Sequence, residues 1–260
     1  MQPILFQIDS IVISSFAFMF SMAFLIGSSI FLILGWKNNL PINKLLGLVI
    51  CVNISAIVGS RMLFVLNNFS QFQSNPWRIF SISPGGYAFY GGFLFTFLTL
   101  VLYIKINQLS FWEILDLGSP SLAISMSIIK MGCFLAGCCY GKETTPGIGI
   151  QFPKYSIPSL NYGFPHSIHP SQIYASVYGL FILIVLLWIC KSRRFAGQVF
   201  LSFIILFSLE RMLNLTQRGD ISNDMLFGFP QSQLFGAIFF IIALVAWFRL
   251  SKKSYRTLIK

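Results

Sequence analysis

Residues 130–142 read KMGCFLAGCCYGK, a run that sets two lysines and three of the chain's five cysteines among apolar neighbours and closes on Gly141 and Lys142. Upstream, residues 113–135 form an apolar stretch long enough to be a membrane helix, so Lys130 lies inside a span. Three readings of this segment are open: a metal knuckle, a redox pair, and a membrane segment that grips phosphate.

The rest of the chain is equally apolar: of 260 residues, 56% are hydrophobic, 17% aromatic and only 10% charged. An ordinary soluble domain carries about 25% charged residues. Apolar stretches near 11–36, 44–66, 88–106, 113–135, 171–190, 197–217 and 232–250 each approach or exceed the roughly 20 residues that cross a bilayer as helix. The expectation is an all-α integral membrane protein of seven transmembrane helices, a single polytopic domain over residues 1–260. The opening MQPILFQIDS has no Lys or Arg and runs into too long an apolar stretch for a cleaved signal peptide, so the first span is expected to stay.

A net charge of +11 would suit a nucleic-acid binder, but the basic residues are scattered at the ends of apolar runs, a pattern of topology rather than of nucleic-acid binding. With the N-terminus outside, the inner loops and tail hold Lys37, Lys44, Lys105, Lys191, Arg193, Arg194, Arg249, Lys252, Lys253, Arg256 and Lys260. The outer loops hold Arg78, Lys142, Lys154 and Arg218. This asymmetry places the C-terminus in the cytoplasm.

Three cations fall within the spans: Arg61, Lys130 and Arg211. A charge at mid-membrane costs at least about 2.5–3.5 kcal/mol on insertion scales and calls for an anionic partner or a wet cavity. The in-span acids are Glu113, Asp116 and Glu210, and Asp116 stands about 21 Å of helical rise from Lys130. Too few carboxylates for the cations point to an anionic ligand; the competing reading is that each cation snorkels to an interface.

The long outer segments are 67–87, 136–170 and 218–231. The motif PGGYAFYGG (84–92) has glycines that let backbone amides approach an anion, or that simply turn the chain. FPHSIHPSQIY (164–174) carries both histidines. His166 and His169 with Cys138 and Cys139 offer zinc ligands, but adjacent cysteines suit a tetrahedron poorly. Adjacent cysteines also make strained disulfides, and such residues are commonly small apolar core. HPSQIY reads as a helix entry with Gln172 directed into the bundle one turn from Ser176. His169 is suited to proton shuttling near neutral pH, or to capping a loop.

In order, GSRMLFVLNNF, PGGYAFYGG, KMGCFLAGCCYG, HPSQIY, SLERMLNLTQRGD and a final SQL resemble the prolipoprotein diacylglyceryl transferase family over nearly the full length. The resemblance implies a multi-pass enzyme of the bacterial plasma (inner) membrane, with the same seven-span topology. It implies movement of the diacylglyceryl group of phosphatidylglycerol onto the lipobox cysteine of a preprolipoprotein, with no cofactor and no metal. Its partners would be the lipid bilayer, phosphatidylglycerol and preprolipoproteins.

Carried onto this sequence, the likeness makes Arg211, Lys130, Tyr90 and His169 the catalytic candidates. Arg61, Gly91, Gly92, Gly141, Gln172, Arg218 and Gln233 become the substrate-binding candidates. The family signature Gly-Arg-x-Gly-Asn-Phe-x-Asn-x-Glu-x-x-Gly becomes Ile129, Lys130, Gly132, Cys133, Phe134, Ala136, Cys138 and Gly141. Lysine keeps the charge of the family's arginine but not its bidentate fork. The family's His-Gly-Gly becomes Tyr90-Gly91-Gly92, and a phenol of reference pKa about 10 is a poor base at neutral pH. The acceptor thiol would then be activated by His169 or by a low-pKa thiol near Lys130, or the acceptor is a different molecule. A transporter or lipid-binding protein for anionic substrates is the alternative, although no related halves are visible in the sequence.

Overall fold

The computed structural model describes residues 1–8, 11–73, 75–80, 86–220, 225–226 and 229–258. Pro84 and Gly85 of the glycine-rich motif, and Lys260 of the basic tail, lie outside the described residues. In chain order the elements are β1 (Ile4–Ile8), β2 (Ile11–Ser14), α1 (Ser15–Lys37), α2 (Ile42–Asn67), α3 (Phe89–Ile106) and α4 (Phe111–Ala136). There follow β3 (Ile150–Gln151), α5 (Ile157–Tyr162), β4 (Ser167–Ile168), α6 (Ser171–Lys191), α7 (Gln198–Leu215), β5 (Met225–Leu226), β6 (Phe229–Pro230) and α8 (Gln231–Leu258). The strands pair as three antiparallel two-stranded ribbons, β1 with β2, β3 with β4 and β5 with β6.

Among the described residues six helices are long and apolar enough to cross a membrane: α1, α2, α3, α4, α6 and residues 233–252 of α8. Large apolar side chains point outward along them, including Trp36, Ile57, Phe93, Ile184, Trp188 and Phe239. In water such exposure would be an aggregation hazard; in a bilayer it is the solvated surface. Residues 11–14, expected to open the first span, instead pair with β1. The β-branched run Ile-Val-Ile is apolar enough to read as span but suits a strand.

The chain divides into two compact units, residues 1–31 with 115–260, and residues 32–114. In the first unit small residues set the helix contacts. A side chain at Gly27 of α1 would run into Ser125 of α4, whose hydroxyl donates to Ala23 O at 2.9 Å. Gly132 of α4 faces Phe16 and Met19 of α1, and Gly179 of α6 lies against the Ser127 backbone. Close backbone approach through small residues is how helices associate where lipid removes the hydrophobic drive. Ser127 and Ser176 bond reciprocally, each hydroxyl donating to the other residue's carbonyl, at 2.9 and 3.0 Å.

Asp116, too distant along the helix to serve Lys130, caps α7 instead. Its Oδ2 accepts from Gly197 N at 2.8 Å and its Oδ1 from Phe200 N at 2.9 Å, with Arg193 Nη1 at 3.7 Å. A carboxylate here satisfies amides that a helix start leaves unpaired and meets the positive end of the helix dipole. Asp116→Ala strands two amides, and is expected to lower stability by about 1–3 kcal/mol per unsatisfied donor. Asp116→Asn should lose less. Thermal unfolding in detergent micelles checks both.

The second unit is a helix pair. Side chains at Gly59, Gly91 or Gly92 would clash across the α2–α3 contact, Gly91 with Gly59 O and Leu63, Gly92 with Ala56 O. Gly91 and Gly92, expected to bring backbone amides to a ligand, are buried, and their missing Cβ atoms let the two helices pack closely. Tyr90, beside them, is 68% exposed and rests on Phe89. Arg61 near the end of α2 donates through Nε, Nη1 and Nη2 to Ile79 O, Gly86 O and Arg78 O, each at 2.8 Å. Its guanidinium also lies 5.6–5.8 Å from the rings of Phe64, Phe72 and Tyr87. These contacts tie Arg61, expected as a substrate-binding cation, to the backbone at Arg78, Ile79 and Gly86.

Candidate active site

Beyond Ala136, α4 ends in two left-handed residues, Gly137 with φ of 80° and Cys139 with φ of 58°. Glycine reaches that region freely, but a side chain there is strained. The turn at Cys139 reverses the usual opposition of neighbouring side chains, so Cys138 and Cys139 share one side with Cys133. The three Sγ atoms all lie within 4.8 Å of one another.

The strand-like segment after the turn is held from both sides. On one side Gly141 N donates to His169 O and His169 N to Lys142 O, both at 3.0 Å. On the other, Lys142 N donates to Gln217 O at 2.7 Å and Gly219 N to Tyr140 O at 3.0 Å. Residues 140–142 thus run between the entry to α6 and the segment after α7, bringing His169 and Arg218 to the cysteine turn. Gly141 has no room for a side chain: a Cβ would stand 2.5 Å from His169 O and 3.0 Å from Gln217 O.

The HPSQIY motif completes the frame. Ser171 Oγ donates to Cys139 O at 2.7 Å, and Gln172 Nε2 to Cys138 O at 2.8 Å. Gln172 is fully buried, as expected, and its Oε1 has no hydrogen-bond partner among the described residues. Asn214 of α7 donates to Ser171 O at 3.3 Å and Glu210 Oε1 at 2.8 Å. Ser171 and Asn214 were not legible as site residues: Ser171 reaches Cys139 across 32 positions and Asn214 reaches Ser171 across 43.

Two cations face the thiols. Arg218 forms a bidentate pair with Asp220, Nε to Oδ1 and Nη2 to Oδ2, each 2.9 Å. Lys130 is half-buried, and among the described residues no carboxylate lies within ion-pair distance of it. The Cys139 thiol is held far below the ordinary thiol range. The neighbouring thiols of Cys133 and Cys138 favour its thiolate, and Lys130 and Arg218 add positive potential, outweighing burial. At Cys138 a bond with Cys133 favours the thiolate, but the bond with Cys139 and burial push the thiol up to about 11.

His169 Nδ1 stands 3.3 Å from Tyr174 Oη, and Tyr174 opens a shallow apolar groove continued by Val177, Tyr178 and Phe181 on α6. His166, the other expected zinc ligand, pairs with Glu143 instead. Arg211 packs over the Phe207 ring at 5.1 Å with Glu210 Oε2 4.0 Å from its Nε. Gln233 is half-buried one turn before Gly236, which lies against the Arg211 Cβ. Hydrogen bonds thus bring Gly141, His169, Gln172 and Arg218 to the cysteine turn, Lys130 lies one turn before Cys133 on α4, and Arg211 and Gln233 lie along the α7–α8 contact. Tyr90, Arg61, Gly91 and Gly92 belong to the other unit.

The arrangement sets a cationic, thiol-rich polar turn next to an apolar face of α6. A family model described as prolipoprotein diacylglyceryl transferase matches residues 3–249. A Clostridium perfringens (strain 13 / Type A) protein named phosphatidylglycerol–prolipoprotein diacylglyceryl transferase 2 is 29% identical over 256 residues, covering 98% of each chain. A phosphatidylglycerol–prolipoprotein diacylglyceryl transferase of Clostridium tetani (strain Massachusetts / E88) is 28% identical over 220 residues, 85% of this chain and 86% of its own. One from Clostridium botulinum (strain Langeland / NCTC 10281 / Type F) is 26% identical over 260 residues, 98% of this chain and 100% of its own. With a match running through both helical units and every motif of the turn, this multi-pass membrane chain belongs to the prolipoprotein diacylglyceryl transferase family.

Proposed function

We propose that the protein moves the diacylglyceryl group of phosphatidylglycerol onto the lipobox cysteine of a preprolipoprotein in a bacterial plasma membrane. The single observation that carries this reading is Lys130: a half-buried cation one turn before Cys133 on α4, with no carboxylate in ion-pair distance among the described residues. A phosphodiester supplies the missing anion while its acyl tails lie along α6.

In this scheme the acceptor sulfur attacks the glycerol carbon that bears the phosphate. A C–S bond forms as the C–O bond breaks, and the electron pair leaves on glycerol phosphate, its charge met by Lys130 and Arg218. His169 takes the thiol proton, with Tyr174 holding its Nδ1. Arg211 and Gln233 hold the headgroup from α7 and α8, and Gln172 positions the turn. Tyr90 takes no part in this scheme.

The proposed topology has seven spans, the N-terminus outside and the C-terminus cytoplasmic, over one polytopic domain. The seventh span is α7: its 18 residues rise about 27 Å against a hydrocarbon core of about 30 Å. Purified protein incubated with labelled phosphatidylglycerol and a lipobox peptide is expected to yield a thioether. Uptake of label into vesicles without thioether would replace the reading with transport.

A further inference from the structure

We propose that Cys133, Cys138 and Cys139 form a three-thiolate Zn(II) site whose fourth position receives the acceptor thiol. The site itself stands on the geometry of the turn, and the role of its fourth position rests on the transferase reading above.

Four observations carry it. The Sγ atoms already lie within 4.8 Å of one another; zinc–sulfur bonds of about 2.3 Å in a tetrahedron need sulfurs about 3.8 Å apart, a closure of about 1 Å. The side chain of Cys139 reaches the others because its residue holds a left-handed φ of 58°, a strained conformation that clusters at functional sites. Cys138 and Cys139 are clamped through their carbonyls by the Gln172 and Ser171 side chains, fixing the ligands from outside. Finally, zinc with three thiolates bears one net negative charge, and two cations stand by to offset it, Lys130 one turn before Cys133 on α4 and Arg218 bridged to Gly141 beside the turn.

Three protein ligands with an open fourth position is the arrangement of catalytic zinc, whereas structural zinc has four. A thiol that enters the fourth position loses its proton, because a coordinated thiol is deprotonated outright. The balance is direct: the acceptor thiol replaces a bound water and releases one proton, which His169 can take. Its sulfur then forms the C–S bond while the C–O pair departs with the phosphate. The resulting neutral thioether is a weak ligand, and water returns to the metal. The metal thereby supplies the activation that Tyr90, in place of a histidine, does not.

The test uses the full chain in detergent, purified anaerobically in reductant, with zinc measured by elemental analysis and Co(II) as spectroscopic probe. About one zinc per chain is expected, with the intense sulfur-to-cobalt charge-transfer absorption of thiolate coordination on cobalt loading. Cys133→Ser and Cys139→Ser should each lose at least about tenfold in zinc affinity by chelator competition. A wild-type chain that melts cooperatively yet takes up no stoichiometric zinc and shows no cobalt–thiolate band overturns the site, whatever the variants do. So does thiol counting that finds two of the three sulfurs joined as a disulfide. Zinc bound at one per chain without thioether from phosphatidylglycerol and lipobox peptide leaves the site standing and removes the transferase reading. Thioether formed at an unchanged rate by chelator-stripped protein does the reverse for the fourth-position role.

Discussion

Lys130→Ala is expected to lower the rate of thioether formation by at least about 10²-fold, the loss seen when one preorganised donor to a developing oxyanion is removed. The chain should still insert and fold. Removing a charge from a span lowers the cost of burying it, and among the described residues no carboxylate pairs with Lys130 and would be stranded by its loss. The conservative change separates charge from shape. Lys130→Arg restores the residue of the family signature, keeps the cation and adds a planar fork that matches phosphate, so it should hold or raise activity. Rates with labelled phosphatidylglycerol and a lipobox peptide, alongside melting temperatures in detergent, check both variants. A wild-type rate in Lys130→Ala removes the lysine from phosphate stabilisation.

Hydropathy was sufficient to find six helices that cross or nearly span a bilayer, because length and apolarity are local properties of the chain. It overran at Ile11–Ser14, where β-branched residues are as apolar as a span but pair with Ile4–Ile8. Gly91 and Gly92 show a different limit. A backbone that must approach a ligand and one that must approach another helix both require an absent Cβ, and sequence does not say which neighbour is there. Arg61 reads as a substrate-binding candidate, and its hydrogen bonds to backbone carbonyls were not visible, because a carbonyl leaves no trace in residue identity.

The site was legible in its parts and hidden in its assembly. Lys130, Arg218, His169 and Gln172 stand out by residue type and motif; the structure brings Arg218, His169 and Gln172 to one turn, with Lys130 in the helix that leads into it. That turn depends on Cys139 adopting a conformation that glycine usually marks. The clamps from Ser171 and Gln172 reach across 32 and 34 positions. The resemblance located the segment, and only the fold showed that the cysteines replacing the signature's Asn and Glu converge.

Gly141→Ala carries the second large effect and tests that convergence. A methyl group at this position meets two fixed backbones, His169 O at 2.5 Å on one side and Gln217 O at 3.0 Å on the other. Neither is the end of a flexible side chain, so one flank of the segment has to move. Movement toward either side breaks a pair of bonds, Gly141 N to His169 O with His169 N to Lys142 O, or Lys142 N to Gln217 O with Gly219 N to Tyr140 O. Each lost pair costs about 1–3 kcal/mol, and the displacement draws His169 or Arg218 away from the thiols. A misplacement of about 1 Å suffices for roughly 10²-fold in rate. The expected result is a protein that inserts, melts several degrees lower and transfers diacylglyceryl groups at about 1% of the wild-type rate or less. Full activity in Gly141→Ala would mean that the segment between the α6 entry and the α7 exit does not hold the reacting groups in register, and the site would have to be sought elsewhere in the chain.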